Sequence, residues 1–227
     1  MSAEVLLAAQ DVHLSYGKTR ALRGASLDVH AGEIVAMRGT SGSGKSSLLH
    51  CMAGIISPDT GRVLYMTRDL TRMGDPELSA LRRHDFGFVF QFGELVPELT
   101  ISENVGLPLR LNGVRSRVVK RETVDMLDRL GIAPLAGKRP AEVSGGQAQR
   151  AAVARALVHK PRVVFADEPT GSLDSDNSKL VLNEFLSLAR TEGTAVLLVT
   201  HEETVASICD RYVELVDGTT QSSVLST

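Results

Sequence analysis

The residues with the clearest chemistry lie in one glycine-rich stretch. It fits the pattern G-x-x-x-x-G-K-[ST] and runs Gly39-Thr40-Ser41-Gly42-Ser43-Gly44-Lys45-Ser46-Ser47. Glycines let the backbone wrap closely around an anion, and the free amides at a helix N-terminus face that anion with positive partial charge. Lys45 adds a full charge at the β- and γ-phosphates of a nucleotide, and the Ser46 hydroxyl can ligate Mg²⁺. The stretch therefore predicts a nucleotide-phosphate site.

An accidental glycine-rich turn is the alternative interpretation of this stretch. The flanking residues argue against it. Ile34 to Met37 form an apolar run typical of a buried strand, and residues 48–54 have the pattern of a helix that ends at Gly54. A strand before the loop and a helix after it are the context that the motif requires.

Two acidic residues follow another apolar run in the second half of the chain. Val163 to Ala166 predict a buried strand, and Asp167 and Glu168 come directly after it. In a doubly wound parallel sheet this position lies beside the phosphate loop. Asp167 would then hold Mg²⁺, directly or through water, and Glu168 would orient and polarise an attacking water. A pair of solvated acids is the alternative, weakened by the tight exit that residues 169–171 predict.

A second glycine pair precedes a predicted helix over residues 148–159. Ser144 and Gln147 have the spacing of a capping box, so a well-capped helix explains part of the pattern. It does not explain Gly145 and Gly146, because glycines in the first turn cost helix stability. Bare amides at a helix N-terminus suit an anion, so this segment predicts a second phosphate contact.

The elements around these motifs predict an α/β chain. Residues 5–16 and 25–35 alternate apolar and polar residues, as antiparallel strands do. The apolar runs 163–166 and 195–199 predict parallel strands buried on both faces, with a helix over about 175–191 between them. The stretch 92–159 shows helical patterns only, with one helix expected to break at Pro108.

Composition limits the possible functions. The chain has 227 residues and a net charge of −2, which argues against nucleic acid or anionic lipid bound through a broad basic surface. The two cysteines form no C-x-x-C pair and fit reduced, buried thiols. No signal peptide and no run of about 20 apolar residues is present. We therefore expect a chain that is soluble by itself and reaches a membrane only through a partner.

The order of the motifs resembles the ATP-binding cassette (ABC) ATPases, and the resemblance covers nearly the whole chain. The motifs are the phosphate loop, Gln91 after an apolar strand, Ser-Gly-Gly-Gln at 144–147, the two acids, Ser172-Leu173-Asp174, and His201 after an apolar strand. Two stretches resemble the MacB/LolD/FtsE-type subgroup more narrowly: residues 166–174, and Phe88–Gln91 followed by Leu95–Thr100.

The resemblance implies a fold and its division. The fold is α/β, with a P-loop NTPase (RecA-like) core, an antiparallel β subdomain and an inserted all-helical subdomain. A single nucleotide-binding domain would span residues 4–223, with its core at about 4–91 and 160–223 and its helical subdomain at about 92–159.

The resemblance also assigns roles around the chain's own nucleotide. Tyr16 would stack on adenine, with a packing tyrosine at a strand end as the alternative. Gln91 would sense Mg²⁺ and the attacking water, unless it only caps a strand. His201 would contact the γ-phosphate, although a lone histidine is more often structural. Glu168, His201 and Gln91 would be the catalytic residues, and the Mg²⁺ ligands would be Ser46, Gln91 and Asp167.

Other roles reach across a predicted dimer. Ser144, Gly145, Gly146 and Gln147 match the signature that contacts the γ-phosphate held by the opposite subunit. Asp174 matches an aspartate that crosses the dimer interface, with a plain helix cap as the alternative. Variations from the family pattern at Arg38, Thr40, Ser47 and Val143 remove no catalytic group, so an active ATPase is expected.

The implied function is the ATP-binding and ATP-hydrolysing subunit of an ABC transporter complex. Two copies would form a homodimer on ATP and Mg²⁺ and drive an integral membrane permease subunit of FtsX/MacB type. The chain would sit peripherally on the cytoplasmic face of the cell membrane. The complex would export a peptide, a drug or a lipoprotein, or it would only transmit motion to the membrane subunit.

Two alternatives stay open. An FtsE-like ATPase would regulate a membrane or cell-wall system without transport, and the sequence does not separate it from a transporter. A cytosolic ABC ATPase acting on DNA or ribosomes would carry a long coiled coil or a second cassette, and neither is present. No nucleic-acid partner is therefore expected.

Overall fold

The computed structural model describes residues 4–91, 94–171, 175–200 and 208–222. It divides the chain into two compact units. The first unit combines residues 1–82 with 195–227, and the second contains residues 83–194.

The elements follow in chain order. The strands are β1 (Val5–Tyr16), β2 (Thr19–His30), β3 (Ile34–Arg38), β4 (Thr60–Tyr65), β5 (Arg68–Asp69), β6 (Phe86–Phe90), β7 (Val163–Asp167), β8 (Ala195–Val199), β9 (Arg211–Val216) and β10 (Thr219–Ser222). The α-helices are α1 (Lys45–Met52), α2 (Asp75–Asp85), α3 (Ile101–Leu111), α4 (Ser116–Arg129), α5 (Gly145–Leu157) and α6 (Ser175–Glu192). Short 3-10 helices span Leu70–Arg72, Ala133–Leu135 and Pro140–Glu142.

The first unit contains an antiparallel sheet with the strand order β2-β1-β4-β5. β1 and β2 form a hairpin in which Tyr16 is opposite Thr19, as the alternation predicts. The predicted second strand over 25–35 was wrong in its bounds, because β2 ends at His30. A turn follows, in which the Glu33 N–H donates to the His30 carbonyl at 3.1 Å, and β3 begins at Ile34.

The first unit also contains parallel strands. β3 lies between β8 and β9 and runs parallel to both. Ile34 to Met37 and all of β8 are buried, as expected for strands covered on both faces. β9 and β10 form the antiparallel hairpin at the end of the described chain. The sheet places the end of β3, where the phosphate loop begins, beside the end of β8.

The second unit pairs β6 with β7 in parallel, and α3 packs on α4 and α5. The aromatic rings of Phe86 and Phe88 on β6 both contact the ring of Phe165 on β7. Residues 94–159 contain helices and connecting segments with no strand, as their pattern predicts. The register of the two strands sets Phe90 opposite Asp167.

The predicted helix break at Pro108 was wrong. α3 runs through the proline to Leu111. A proline inside a helix costs about 3 kcal/mol or more. Val105 and Leu109 are buried on the same helix, and each such burial contributes about 1.5–3 kcal/mol, which offsets the cost.

Both cysteines are free thiols in the first unit, as their spacing predicts. The predicted burial holds for Cys51 but was wrong for Cys209, which is half-buried. Cys51 is buried, and burial raises the pKa of its thiol to about 12. A thiol with that pKa stays protonated and unreactive near neutral pH.

The segment before α3 is held by one fully buried side chain, Asn104. Its carbonyl oxygen accepts from the Val96 N–H at 2.7 Å. Its amide nitrogen lies 3.0, 3.2 and 3.1 Å from the carbonyl oxygens of Val96, Leu99 and Thr100. One side chain thereby satisfies several backbone groups of a segment that has no regular structure.

We expect Asn104→Ala to lower the free energy of unfolding by about 2–4 kcal/mol, since it leaves several buried polar groups without partners. Urea denaturation measures the effect. Asn112→Ala is a matched control and should cost about 1 kcal/mol. Among the described residues, the Asn112 side chain makes one hydrogen bond, to the Arg83 carbonyl at 2.8 Å. Equal losses in the two variants would contradict the role of Asn104.

Candidate functional site

The loop between β3 and α1 has a backbone that only glycine fits. Gly39 and Gly44 have φ angles of 145° and 103°. A Cβ on Gly39 would lie 2.3 Å from the Leu215 carbonyl oxygen, and one on Gly44 would lie 2.4 Å from that of Ala21. The loop therefore packs closely against its neighbours. It lies between a strand and a helix, which is the context that the motif requires.

Lys45 begins α1 with its ammonium turned back over the loop. The side chain is only 8% exposed, and Nζ donates to the carbonyl oxygens of Gly39 and Thr40 at 2.9 and 2.8 Å. Ser43 is buried, and its hydroxyl has no hydrogen-bond partner among the residues that the structure describes. A charged group and an unsatisfied polar atom thus lie in a loop shaped for close approach, as an anion site requires.

The remaining loop residues face outward. Ser41, Gly42 and Ser46 are exposed, and Ser47 is half-buried. A Cβ on Gly42 would meet nothing within 4 Å, so this glycine leaves open space over the loop. The exposed Ser46 hydroxyl, at the start of α1, is accessible to a cation.

We expect Lys45→Ala to weaken ATP binding about tenfold to a hundredfold, because charge-assisted hydrogen bonds contribute roughly 1.5–3 kcal/mol. Titration of a fluorescent ATP analogue measures the change. Lys120→Ala, which removes an exposed lysine of α4, is the control and should bind as wild type does. An unchanged dissociation constant for Lys45→Ala would show that the loop is not the phosphate site.

Two further predicted nucleotide contacts belong to the first unit. Tyr16 ends β1 and is 52% exposed, which leaves a ring face available for stacking and disfavours a packing role. Thr200 follows β8, and its N–H donates to the Met37 carbonyl at 3.1 Å. His201, the next residue, lies outside the described residues, as does Asp174.

In the second unit, Gln91 and Glu168 follow the paired ends of β6 and β7. Because Phe90 is opposite Asp167, the residues after them start from neighbouring strand ends. Glu168 has a φ of 45°, a left-handed conformation that costs a residue with a side chain on the order of 1–3 kcal/mol. The Gly171 N–H donates to the Glu168 carbonyl at 3.0 Å, which closes the turn.

The Gln91 side chain lies against this turn. A Cβ on Gly171 would be 2.7 Å from Gln91 Nε2, so the absence of a side chain at residue 171 makes room for the carboxamide. The structure thereby brings Gln91 next to the segment that follows Asp167 and Glu168. Both acids are half-buried.

Ser144 and Gln147 form the predicted capping box. The Ser144 N–H donates to Gln147 Oε1 at 3.0 Å, and the Gln147 N–H donates to Ser144 Oγ at 3.4 Å. α5 begins at Gly145, earlier than the predicted start at residue 148. Ser144 and Gly145 are exposed, and a Cβ on Gly146 would meet nothing within 4 Å, so the first helical amides are open to a ligand.

Two polar residues of α5 that were not predicted from the sequence contact the Gln91 segment, which is defined here as Phe90, Gln91 and Glu94. Gln149 is only 2% exposed, and its Nε2 donates to the Phe90 carbonyl at 3.3 Å. A guanidinium nitrogen of Arg155 donates to the Glu94 carbonyl at 2.8 Å. Burial lowers the pKa of Arg155 and the charge of Glu94 opposes this, yet a guanidinium stays protonated.

A signal for Gln149 was present in the sequence. By their spacing, Ala152, Val153 and Ala156 lie on the same helix face as Gln149, and all three are buried. A long amide among them must find a hydrogen-bond partner. The partner, 59 residues earlier in the chain, could not be identified from the pattern.

The predicted Mg²⁺ ligands suit a cation that also keeps water and phosphate ligands. Among the described residues, no group of three or more His, Cys, Asp or Glu side chains could hold a metal. Ser46, Gln91 and Asp167 offer a hydroxyl, an amide and one carboxylate, which are hard oxygen donors. Mg²⁺ is usually bound by one or two carboxylates, with water and nucleotide phosphates completing its shell.

The buried strand, the glycine loop and the helix that starts with Lys45 define an α/β nucleotide-binding domain of the P-loop class. Residues 22–171 match the family model described as ABC transporter. The chain belongs to the ABC transporter family.

Similar proteins cover nearly the whole chain. The lipoprotein-releasing system ATP-binding protein LolD of Bacteroides fragilis is 43% identical over 204 residues, 90% of this chain and 94% of that protein. LolD of Bdellovibrio bacteriovorus is 41% identical over 218 residues, 94% of this chain and 99% of that protein. The ATP-binding cassette MJ0796, solved as a dimer in a post-hydrolysis state bound to ADP and Pi, has a TM-score of 0.88 and 32% identity, and the match covers 96% of this chain and 98% of that one.

These matches confirm several predictions. The fold is that of an ABC cassette, and the resemblance to the MacB/LolD/FtsE-type subgroup holds. The chain is the ATP-binding, ATP-hydrolysing subunit of an ABC transporter. The assignment of individual site residues and the domain bounds 4–223, 4–91, 92–159 and 160–223 stay predictions.

Proposed function

We propose that this ATPase powers the release of lipoproteins from a membrane. The observation that carries the proposal is the near full-length similarity, in both directions, to several lipoprotein-releasing ATP-binding proteins. A shared cassette alone would support any ABC activity. Similarity that extends through the helical segment 92–159 as well supports a shared membrane partner, because residues 95–143 of that segment lie outside the phosphate-binding motifs.

We assign the nucleotide-site roles as follows. Tyr16 stacks on adenine, and the loop from Gly39 to Ser47, with Lys45, holds the phosphates. Ser46, Asp167 and Gln91 would hold Mg²⁺, which would supply positive charge to neutralise the charge that develops on the phosphates. Glu168 is the general base for the attacking water, and its left-handed backbone supports a functional position, since such strain clusters at active sites.

We assign a second set of roles to a homodimer. Ser144 to Gln147 contact the nucleotide of the opposite subunit, and Asp174 crosses the interface. A two-fold interface satisfies both sites at once. ATP shifts the dimer toward closure only because it makes more contacts in the closed state than in the open one. The dimeric cassette structures similar to this chain support the arrangement.

The partner we propose is an integral membrane subunit of FtsX/MacB type, on whose cytoplasmic face this chain sits. Among the described residues, no helix has the length and apolar character to cross a bilayer. The helical segment 92–159 and the residues after Gln91 would pass the dimer's motion to that partner.

Reconstitution tests the proposal. The chain, copurified with the membrane protein encoded beside it, is placed in proteoliposomes that carry a triacylated lipoprotein. We expect ATP to release the lipoprotein into solution in the presence of a soluble acceptor, and Glu168→Gln complexes to release none. Hydrolysis that depends on the membrane subunit but releases no lipoprotein would overturn the proposal and favour the FtsE-like regulator.

A further inference from the structure

We infer that Gln149 and Arg155 are positioning residues that fasten the Gln91 segment to helix α5. Gln91 then moves with α5, whose first turn carries Ser144. The inference rests on the proposed function for the roles of Gln91 and Ser144. All of these residues, and the contacts between them, belong to the second unit.

The first fastening point is immediately before Gln91. Gln149 Nε2 donates to the Phe90 carbonyl at 3.3 Å, and the Gln149 side chain is almost fully buried. Phe90 is the last residue of β6 and is opposite Asp167. A buried amide that gives its hydrogen bond to a strand end loses it only at a cost, so this contact ties α5 to the strand end from which Gln91 extends.

The second fastening point is three residues after Gln91. The Arg155 guanidinium donates to the Glu94 carbonyl at 2.8 Å. Glu94 has a φ of 43°, so its carbonyl is presented by a backbone conformation that residues with side chains seldom adopt. A charged donor makes this the stronger of the two bonds.

Together the two bonds hold the backbone on both sides of Gln91 to one rigid helix, α5. Gln149 and Arg155 are separated by about 9 Å along a helix that rises 1.5 Å per residue, so they move as one body. Gly171 further limits the position of the Gln91 carboxamide, which lies against it. A displacement of the Ser144 end of α5 is therefore passed to the backbone on either side of Gln91.

The consequence is a positioning effect on catalysis. If the bonds are lost, Gln91 is no longer held in one place relative to Asp167, and its oxygen meets Mg²⁺ less often. Turnover should fall. More Mg²⁺ should also be needed to half-saturate the protein bound to a non-hydrolysable fluorescent ATP analogue, which fluorescence measures without turnover. Nucleotide affinity should change little, because neither residue belongs to the phosphate loop.

A double-mutant cycle tests the inference in the full chain with its membrane partner. Gln149→Met and Arg155→Met each remove a donor at similar side-chain length. We expect each to lower kcat by about threefold to tenfold, as the loss of one hydrogen bond would, and to raise the half-saturating Mg²⁺ concentration at least threefold. Arg155→Lys keeps a donor and should recover most of the loss.

Combination with Gln91→Ala separates positioning from general damage. If Gln149 and Arg155 act through Gln91, adding either substitution to Gln91→Ala should change kcat by less than twofold. The control is Arg150→Met on the same helix. Arg150 donates to the Leu130 carbonyl at 3.0 Å and pairs with Glu184 at 3.3 Å. Arg150→Met should therefore lower thermal stability but leave the Mg²⁺ requirement unchanged.

Each outcome decides between the inference and the proposed function. The inference is overturned if Gln91→Ala lowers kcat while Gln149→Met and Arg155→Met, both folded by thermal melting, leave kcat and the Mg²⁺ requirement as in wild type. The role of Gln91 would stand in that case. Losses that multiply with Gln91→Ala also overturn it. Gln91→Ala with wild-type kcat would instead overturn the role of Gln91 in the proposed function.

Discussion

Glu168→Gln is expected to lower steady-state ATP turnover by about a hundredfold or more while ATP still binds. A positioned general base contributes roughly 10²–10⁴ to a rate, and glutamine keeps the shape of glutamate without its basicity. Glu168 follows a buried strand and is held in a left-handed conformation by a turn that closes at 3.0 Å. The substitution should leave that backbone in place, because the change is confined to the end of the side chain.

The measurement is phosphate release with the membrane partner present, together with size-exclusion chromatography in ATP. The variant should accumulate as an ATP-bound dimer, since closure no longer leads to hydrolysis. Glu214→Gln, which alters an exposed glutamate of β9, is the control and should turn over as wild type does. Turnover of Glu168→Gln within a few fold of wild type would remove Glu168 from the base role.

Local motifs predicted the phosphate loop well because their geometry is set by neighbours in the chain. The glycines at 39 and 44 take φ values that other residues avoid, and Lys45 reaches carbonyls five and six residues earlier. A pattern of residue types is enough to specify contacts of that range. The capping box at Ser144 was predictable for the same reason.

Elements that depend on distant packing were harder to predict. The proline in α3 signals a break, yet burial of apolar residues on the same helix outweighs the lost hydrogen bond. The boundary between β2 and β3 was missed for another reason: the alternation was extended past Gly32, although Ile34 and Val35 are both apolar. The turn there is closed by the Glu33 N–H, which donates to the His30 carbonyl.

The contacts of α5 with the Gln91 segment lie beyond what a single sequence can supply. Gln149 and Arg155 bond to backbone carbonyls 59 and 61 residues away. A backbone carbonyl carries no residue-type signature, so nothing at Phe90 or Glu94 marks them as acceptors. The pattern could predict a buried amide in need of a partner but not which partner it finds.

Ser144→Arg is expected to abolish ATP-driven dimer closure and hydrolysis while leaving nucleotide binding to the monomer within about twofold. The signature segment is exposed at the start of α5 and lies about 100 residues after the phosphate loop in the chain. If it contacts the partner's γ-phosphate, an arginine there obstructs the composite site without touching the chain's own loop. Ser144→Ala is the matched control, because it loses the same capping bond, which contributes about 1 kcal/mol, but adds no bulk.

A mixed dimer decides on which chain Ser144 acts. One subunit carries Ser144→Arg and the other carries Lys45→Ala. Action across the dimer puts both lesions in one composite pocket and leaves the other pocket whole, so we expect one nucleotide occluded per mixed dimer. Action within one chain would spoil both pockets and occlude none, while wild-type dimers occlude two. Occlusion is the proper measurement because coupled turnover can require two intact pockets. A mixed dimer that hydrolyses no ATP would therefore not distinguish the two arrangements. A count of trapped nucleotides per dimer does distinguish them.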